Sequence, residues 1–379
     1  MLLIQALDDC RGFIASCETP PRVFSRTPLS DKEFEALKDT LGALCNVMEL
    51  QSFELVARRP SDVNSLDLAL SRYLAITAAM AMPDSTYASS AIQQWRHKVR
   101  RPDVKTITAR SGGQLHVETW TSAHPKKDAP TILFLPICGL PMAALRPLMC
   151  ELAENHTALC WDTSELTGNN LVPTIARDPV TVLAEDVVDV VRAYQLDKVH
   201  LVAICVTTAS ALATAKLLGA QVQSLNICHA TVKVSEQELL TPFEKDYNAM
   251  LEDVCHSEDR AREVHETLLE PGFAMSVPRT LAPFILAPYT RLSRLRRHAY
   301  VYGASTSFDA RLIAGQINCP TLIIATRTDR IVHPEQSRRL AALLPNARLH
   351  EFDDGDHLDV LMSGNAFLPL ISSFISQHT

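Results

Sequence analysis

Glycine is scarce here, with 12 in 379 residues against 22 prolines. Average usage is about 7%, so any motif that normally demands glycine has to be read through its substitutes. Paired cysteine spacing is missing as well. The ten cysteines run from Cys10 to Cys319 with no CxxC and no regular interval, in a chain too large to need disulfides. A reducing cytoplasm is the expected compartment. No HExxH occurs, and spacing offers no metal site. Basic charge is not in excess: 36 Lys and Arg face 43 Asp and Glu, a net charge of −7. That excludes a general nucleic-acid binder, which needs a cationic face. Long apolar runs are absent too, since stretches such as residues 74–82 fall short of the roughly 20 residues a membrane span requires. The apolar start Met1-Leu2-Leu3-Ile4 is cut off by Asp8 and Asp9 with no Lys or Arg before it, so no signal peptide and no membrane attachment are expected.

The composition itself is globular, 47% hydrophobic and 21% charged, which leaves wholesale disorder and fibrous repeats out. Ser30-Asp31-Lys32-Glu33 is a capping-box signature, followed by Phe34, Leu37, Leu41, Leu44 and Val47 at a helical period. Further helices are predicted over 65–82 and 89–99, ended by Arg100-Arg101-Pro102. From Val104 the period becomes two. Segments 104–109 and 114–120, joined by Ser111-Gly112-Gly113, read as a hairpin. Past a polar loop at 122–128, the apolar run 131–135 suits a strand buried on both faces of a parallel sheet. Helices at 142–152, 179–194 and 208–218 then alternate with strands at 157–161, 199–204 and 222–227. After a proline-broken stretch, strand 319–325, helix 335–344, strand 348–352 and helix 366–377 resume the pattern. This alternation predicts an α/β fold with a doubly wound, mostly parallel sheet. Four regions are expected: a helical N-terminal extension over 1–103, sheet segments over 104–234 and 311–379, and a helical cap insertion over 235–310.

The chemistry concentrates where strand 199–204 runs straight into a helix, at Ala203-Ile204-Cys205-Val206-Thr207. A nucleophile at such a turn needs small neighbours, so that strand and helix can approach, and exposure at the helix N-terminus. Ala203 meets the size requirement and Thr207 meets it less well. Two later strand ends carry partners in order: Thr326-Arg327-Thr328-Asp329 and Gly355-Asp356-His357. Open α/β sheets place their sites at these carboxyl edges. His357 would take the thiol proton of Cys205, Asp329 would fix the imidazole tautomer, and both His357 and the helix N-terminus would favour the thiolate. Asp353, Asp354 and Asp356 are alternative acids, expected to be solvated. An oxyanion hole would use the backbone N–H of Val206 and of Cys138, or of Ile137 if the register slips by one. Cys138 as a second nucleophile is the competing reading, set back by the lack of a nearby histidine. His229 follows a strand end and is read as a core histidine or a pocket lining residue.

The elbow, acid loop and Gly-x-His loop, in this order, resemble the α/β-hydrolase superfamily over the roughly 275 residues from Val104. The cysteine in place of serine is similar to that of polyhydroxyalkanoate synthases, though those keep Gly-Gly after it. In size and helical extension the chain looks closer to the thioesterase-like aminoacyltransferases that move aminoacyl groups between carrier proteins in nonribosomal peptide assembly, of the syringomycin and coronamic acid type. That resemblance implies an aminoacyl-S-Cys205 intermediate, no bound cofactor, and substrates presented on phosphopantetheine arms of acyl or peptidyl carrier proteins. A thioester on cysteine is as activated as one on phosphopantetheine, so exchange between the two is nearly isoergic. Carrier proteins are acidic, which makes Arg291, Arg294, Arg296, Arg297 and His298 a candidate docking cluster, with Arg96, His97, Lys98, Arg100 and Arg101 as a second, more linker-like one. A Cys-dependent hydrolase such as an editing thioesterase, and an inactive binding protein of the same fold, are the alternatives.

Overall fold

The computed structural model describes residues 2–122, 129–163 and 178–379. These gather into two compact units, one formed by Met1–Arg101, Gly139–Ala144 and Glu258–Leu295, the other by Pro102–Cys138, Leu145–Ser257 and Arg296–Thr379.

In the first unit the capping box closes as its sequence predicts. The Ser30 hydroxyl accepts from Glu33 N, the Glu33 carboxylate accepts from Ser30 N at 2.8 Å, and the helix Asp31–Met48 runs on from there. The helix expected over 65–82 is shorter, Ser65–Leu74, because Ala75 turns left-handed at φ +49 and ends it. The expected helix at 89–99 starts earlier, as Ser85–Lys98, with the Asp84 side chain accepting from Tyr87 N at 2.8 Å. The N-terminal region is not wholly helical. Strands β1 (Arg22–Phe24) and β2 (Glu54–Val56) pair in parallel, and at three residues each they are too short to show a period. Arg22 ties β1 to the buried Asp67, donating its backbone N–H at 2.7 Å and its guanidinium at 2.8 and 3.0 Å. The stretch 235–310 is divided: Glu258–Leu295 clusters with the first unit and the remainder with the second. Polar tethers explain the division, since Ser65 N donates to Leu269 O at 2.8 Å and Arg72 donates to the carbonyls of Ala274 and Val277.

The second unit is built on one eight-stranded sheet. Its hairpin, β3 (Asp103–Thr108) and β4 (Gln114–Trp120), pairs Thr108 with Gln114 across the Gly-containing turn. Then come β5 (Thr131–Phe134), β6 (Thr157–Trp161), β7 (Val199–Ile204), β8 (Val222–Cys228), β9 (Thr321–Thr326) and β10 (Ala347–Phe352). Their spatial order is β3-β4-β6-β5-β7-β8-β9-β10, antiparallel across β3, β4 and β6 and parallel from β6 to β10. Every residue of β7 and of β9 is buried, as continuous apolar runs require when helices cover both faces. Leu201, Ala203, Leu225, Ile227 and Ile323 share one core with Ala211 and Leu212 of the helix Thr208–Leu218. Truncating Leu201 to alanine in such a core would cost about 2–5 kcal/mol. The carboxyl ends of β5, β7, β8, β9 and β10 form one edge, and the loops that leave it carry the chemistry below. The polar loop expected over 122–128 lies outside the described residues except for Ser122. No helix among the described residues is long and apolar enough to cross a membrane.

Candidate active site

At the end of β7, Cys205 takes φ +57, a left-handed conformation that is strained for a residue with a side chain. Such a backbone costs about 1–3 kcal/mol and persists only when its surroundings hold it. Thr207, at the position that carries the second glycine in the usual Gly-x-Ser-x-Gly form of such an elbow, supplies the hold. Its buried hydroxyl accepts from Ile204 N at 2.8 Å and donates to Ile204 O at 3.0 Å. The next hydroxyl, Thr208 Oγ1, donates to the Cys205 carbonyl at 2.7 Å. Ala203, Ala209 and Ala211 keep the strand and helix close around this clasp.

Asp329 follows β9, and its Oδ1 accepts the backbone N–H groups of Ile331 at 2.8 Å and Val332 at 3.0 Å. That fixes the carboxylate's rotation and turns Oδ2 toward His357 Nδ1, 2.8 Å away. His357 opens the short turn His357–Leu361 after β10. Gly355 lets the chain reach it: at φ +145, a Cβ there would stand 3.0 Å from Asp359 Oδ2. With Nδ1 committed to Asp329, the hydrogen bond the ring makes to the Cys205 side chain falls to Nε2. Burial would depress the proton affinity of His357, but its electrostatic interaction with the Cys205 sulfur and its hydrogen bond to Asp329 outweigh it, and its pKa rises to about 10. Burial pushes Asp329 the other way from its donors; the hydrogen bonds of His229 and His357 win and hold its carboxyl well below the usual range. The arrangement can therefore hold a proton on the imidazole beside the Cys205 sulfur.

Two residues that motif reading did not place in this site also belong to it. His229, just past β8, is 1% exposed at φ +54, with Nδ1 3.0 Å from Asp329 Oδ2. Its ring centroid lies 4.7 Å from that of His357. Thr231 Oγ1 stands 3.4 Å from Cys205 Sγ. The one available signal was position, since both follow a strand at the same sheet edge as Cys205. His229, Asp329 and His357 bring their donor atoms within 4.8 Å of one another, a spacing that could hold a metal ion. Those atoms already hydrogen-bond one another, which accounts for the cluster without one.

The comparisons with known proteins bear on this edge. A family model described as alpha/beta hydrolase fold matches residues 271–362, a stretch that contains Asp329 and His357. Solved structures match far more of the chain. The enol-lactonase from Burkholderia xenovorans superposes with a TM-score of 0.55 at 16% identity, covering 72% of this chain and 100% of that one. MGS-M2, an alpha/beta hydrolase from a deep-sea metagenome library, gives 0.56 at 16% identity over 73% and 98%. The chain has an α/β-hydrolase fold. Among curated proteins, polyketide synthase ThaQ of Burkholderia thailandensis is 32% identical over 74 residues, 20% of this chain and 4% of that protein. The putative carbamate hydrolase RutD of Pseudomonas savastanoi pv. phaseolicola is 31% identical over 109 residues, 26% of this chain and 42% of its own length. The chain thus spans less than half the length of either curated relative.

Within the hydrolase fold, the remaining expected site residues fall as follows. Val206 is buried in the first turn after the elbow, where N–H groups have no intrahelical partner. Ile137 and Cys138 follow β5, the strand next to β7, and are half-buried. Cys138 does have a histidine, contrary to the expectation from sequence proximity. His298, 160 residues away in the chain, brings Nδ1 to 3.4 Å from Cys138 Sγ, and its Nε2 meets Tyr247 OH at 2.7 Å. The proposed basic cluster is not one exposed face. Arg297 and His298 are buried, and Arg294 and Arg296 are half-buried. Arg291 donates to the carbonyls of Ser16 and Cys17 at 2.7 and 3.2 Å. Arg96, His97, Lys98 and Arg101 are exposed. Of the alternative acids, Asp353 pairs with Arg327 at 2.7 Å, Asp354 accepts from Thr328, and Asp356 caps Leu358 N; all three are exposed. A cavity of about 360 Å³ borders the site through Thr231 and is also lined by Glu244, Asn248 and Gln336.

Proposed function

We propose that this chain is an acyltransferase that carries an aminoacyl or acyl group between phosphopantetheine thiols of carrier proteins as a thioester on Cys205. One observation carries the reading: the left-handed elbow presents a cysteine, not a serine, to a buried imidazole backed by a carboxylate. Loading begins with Cys205 sulfur attacking the donor thioester. The C–S bond to the donor arm breaks, and the departing thiolate takes a proton from His357. Discharge runs the same steps backward with a second carrier thiol. Val206 N–H and an N–H of the Ile137–Cys138 turn would hold the tetrahedral oxygen. The partial likeness to a polyketide synthase supports a carrier-bound substrate. The exposed Arg96, His97, Lys98 and Arg101, with what remains accessible of Arg291, Arg294 and Arg296, are the surfaces offered for an acidic carrier.

Hydrolysis is the second reading, favoured by the hydrolase neighbours and by the likeness to RutD. One experiment separates the two. The protein is mixed with an aminoacyl-loaded carrier domain, its intact mass is taken, and an empty phosphopantetheinylated carrier is then added. A persistent adduct on Cys205 that moves to the second carrier supports transfer. Rapid release of free acid supports hydrolysis. Transfer undiminished in Cys205→Ala would remove Cys205 from either mechanism.

A further inference from the structure

His229 is the buried titratable group that the proposed mechanism leaves without a task. It comes from the end of β8, whereas Asp329 and His357 come from β9 and β10. Asp329 Oδ2 nevertheless faces two imidazoles, His357 Nδ1 at 2.8 Å and His229 Nδ1 at 3.0 Å. A carboxylate only accepts, so both Nδ1 atoms donate. Because Oδ1 is held by the backbone of Ile331 and Val332, His229 is not needed to orient Asp329. It shares the carboxylate's charge instead.

We propose that His229 is a positioning residue that stays neutral and draws part of the Asp329 charge away from His357, keeping that imidazole able to release its proton as well as take it. The proposal rests on the transferase reading for its purpose, since a shuttle runs its proton transfer in both directions. In discharge, the acceptor thiol gives its proton to His357 Nε2, its sulfur bonds to the acyl carbon, and the bond to Cys205 breaks. In loading, the same proton must go back to a departing thiolate. An imidazole far more basic than a thiol would stall that return.

Three features support a neutral His229. It is buried, and its Nε2 has no hydrogen-bond partner among the described residues. The groups facing it are Asp329 and His357, with Asp359 nearby; Glu244 acts on Asp329, and Cys205 acts on His357. Desolvation and the adjacent His357 both lower its proton affinity, against the pull of Asp329 and Asp359. Two imidazolium ions cannot share one buried carboxylate cheaply, so only one ring of the pair carries charge.

Alkylation of Cys205 by iodoacetamide, followed by peptide mapping across pH, tests this without an acyl substrate. Its failure is therefore distinct from failure of the transferase reading. In His229→Ala the whole Asp329 charge falls on His357, and the alkylation midpoint should drop by about one pH unit. His229→Asn can place an amide donor where Nδ1 stands and tolerates a left-handed backbone, so it should restore the wild-type midpoint. An unchanged or raised midpoint in His229→Ala overturns the proposal, as does an Asn variant that behaves like Ala. Should the alanine variant fail to fold, nitrogen NMR of wild-type histidines decides: His229 must keep Nε2 unprotonated while His357 is charged, and a doubly protonated His229 overturns the proposal.

Discussion

Two thiols leave neighbouring strands of the same sheet, and each meets an imidazole, yet their settings are opposite. Behind His357 stands the ionised Asp329, and the imidazole's pKa climbs to about 10 with Cys205 beside it. Behind His298 stands a phenol, Tyr247, and burial takes that imidazole down to about 4. Cys138 itself is pushed up by burial and by the Cys205 sulfur. Contact with a thiol therefore does not by itself fix how tightly a histidine holds its proton. Around His357 the Cys205 sulfur and the carboxylate on the far side of the ring together outweigh desolvation, whereas around His298 desolvation wins.

The contrast can be broken most severely at that charge. Asp329→Asn should cut the rate of Cys205 acylation on the order of a thousandfold, measured by stopped intact-mass time courses. Near-normal rates would show that the carboxylate is dispensable. Next, Tyr247→Glu would put a carboxylate behind His298 and should raise alkylation of Cys138 about tenfold in the folded fraction, read by peptide mapping. No change there would mean that burial alone governs Cys138. A smaller effect concerns stability. His357 binds its proton more tightly folded than unfolded, so this contribution is complete below the unfolded value of about 6.5. It is lost as the pH rises through about 10. Melting temperature should fall across that window in the wild type, and less so in Cys205→Ala, which removes the neighbour that raises His357 most. Smallest of all, Cys138→Ala should change acylation of Cys205 less than about threefold, because only its backbone N–H is invoked. A large loss would give the Cys138 side chain a part in the chemistry.

The succession of strands along the chain, the hairpin and the sequence order of Cys205, Asp329 and His357 can be read from the sequence because changes of period, with a proline or a glycine at some of the strand ends, mark the elements locally. The contact of His229 with Asp329 could not be, since it arises only when β8 and β9 lie side by side and the residue takes φ +54. The Cys138–His298 contact is hidden for a similar reason, joining a strand end to a helix 160 residues later. Charge runs misled where a helix turned half of them inward, as with Arg297 and His298. The strands β1 and β2 were invisible because three residues carry no period.

The clasp at Thr207 reaches beyond this one elbow. A hydroxyl that both gives to and takes from Ile204 stands in for the missing glycine, so the turn is defined by geometry, not by a residue name. A pattern that insists on glycine two places after the nucleophile would pass such a chain by. One written for a left-handed nucleophile followed by glycine or a small hydroxyl residue would find it, and would extend the search to other chains whose glycine has been traded away.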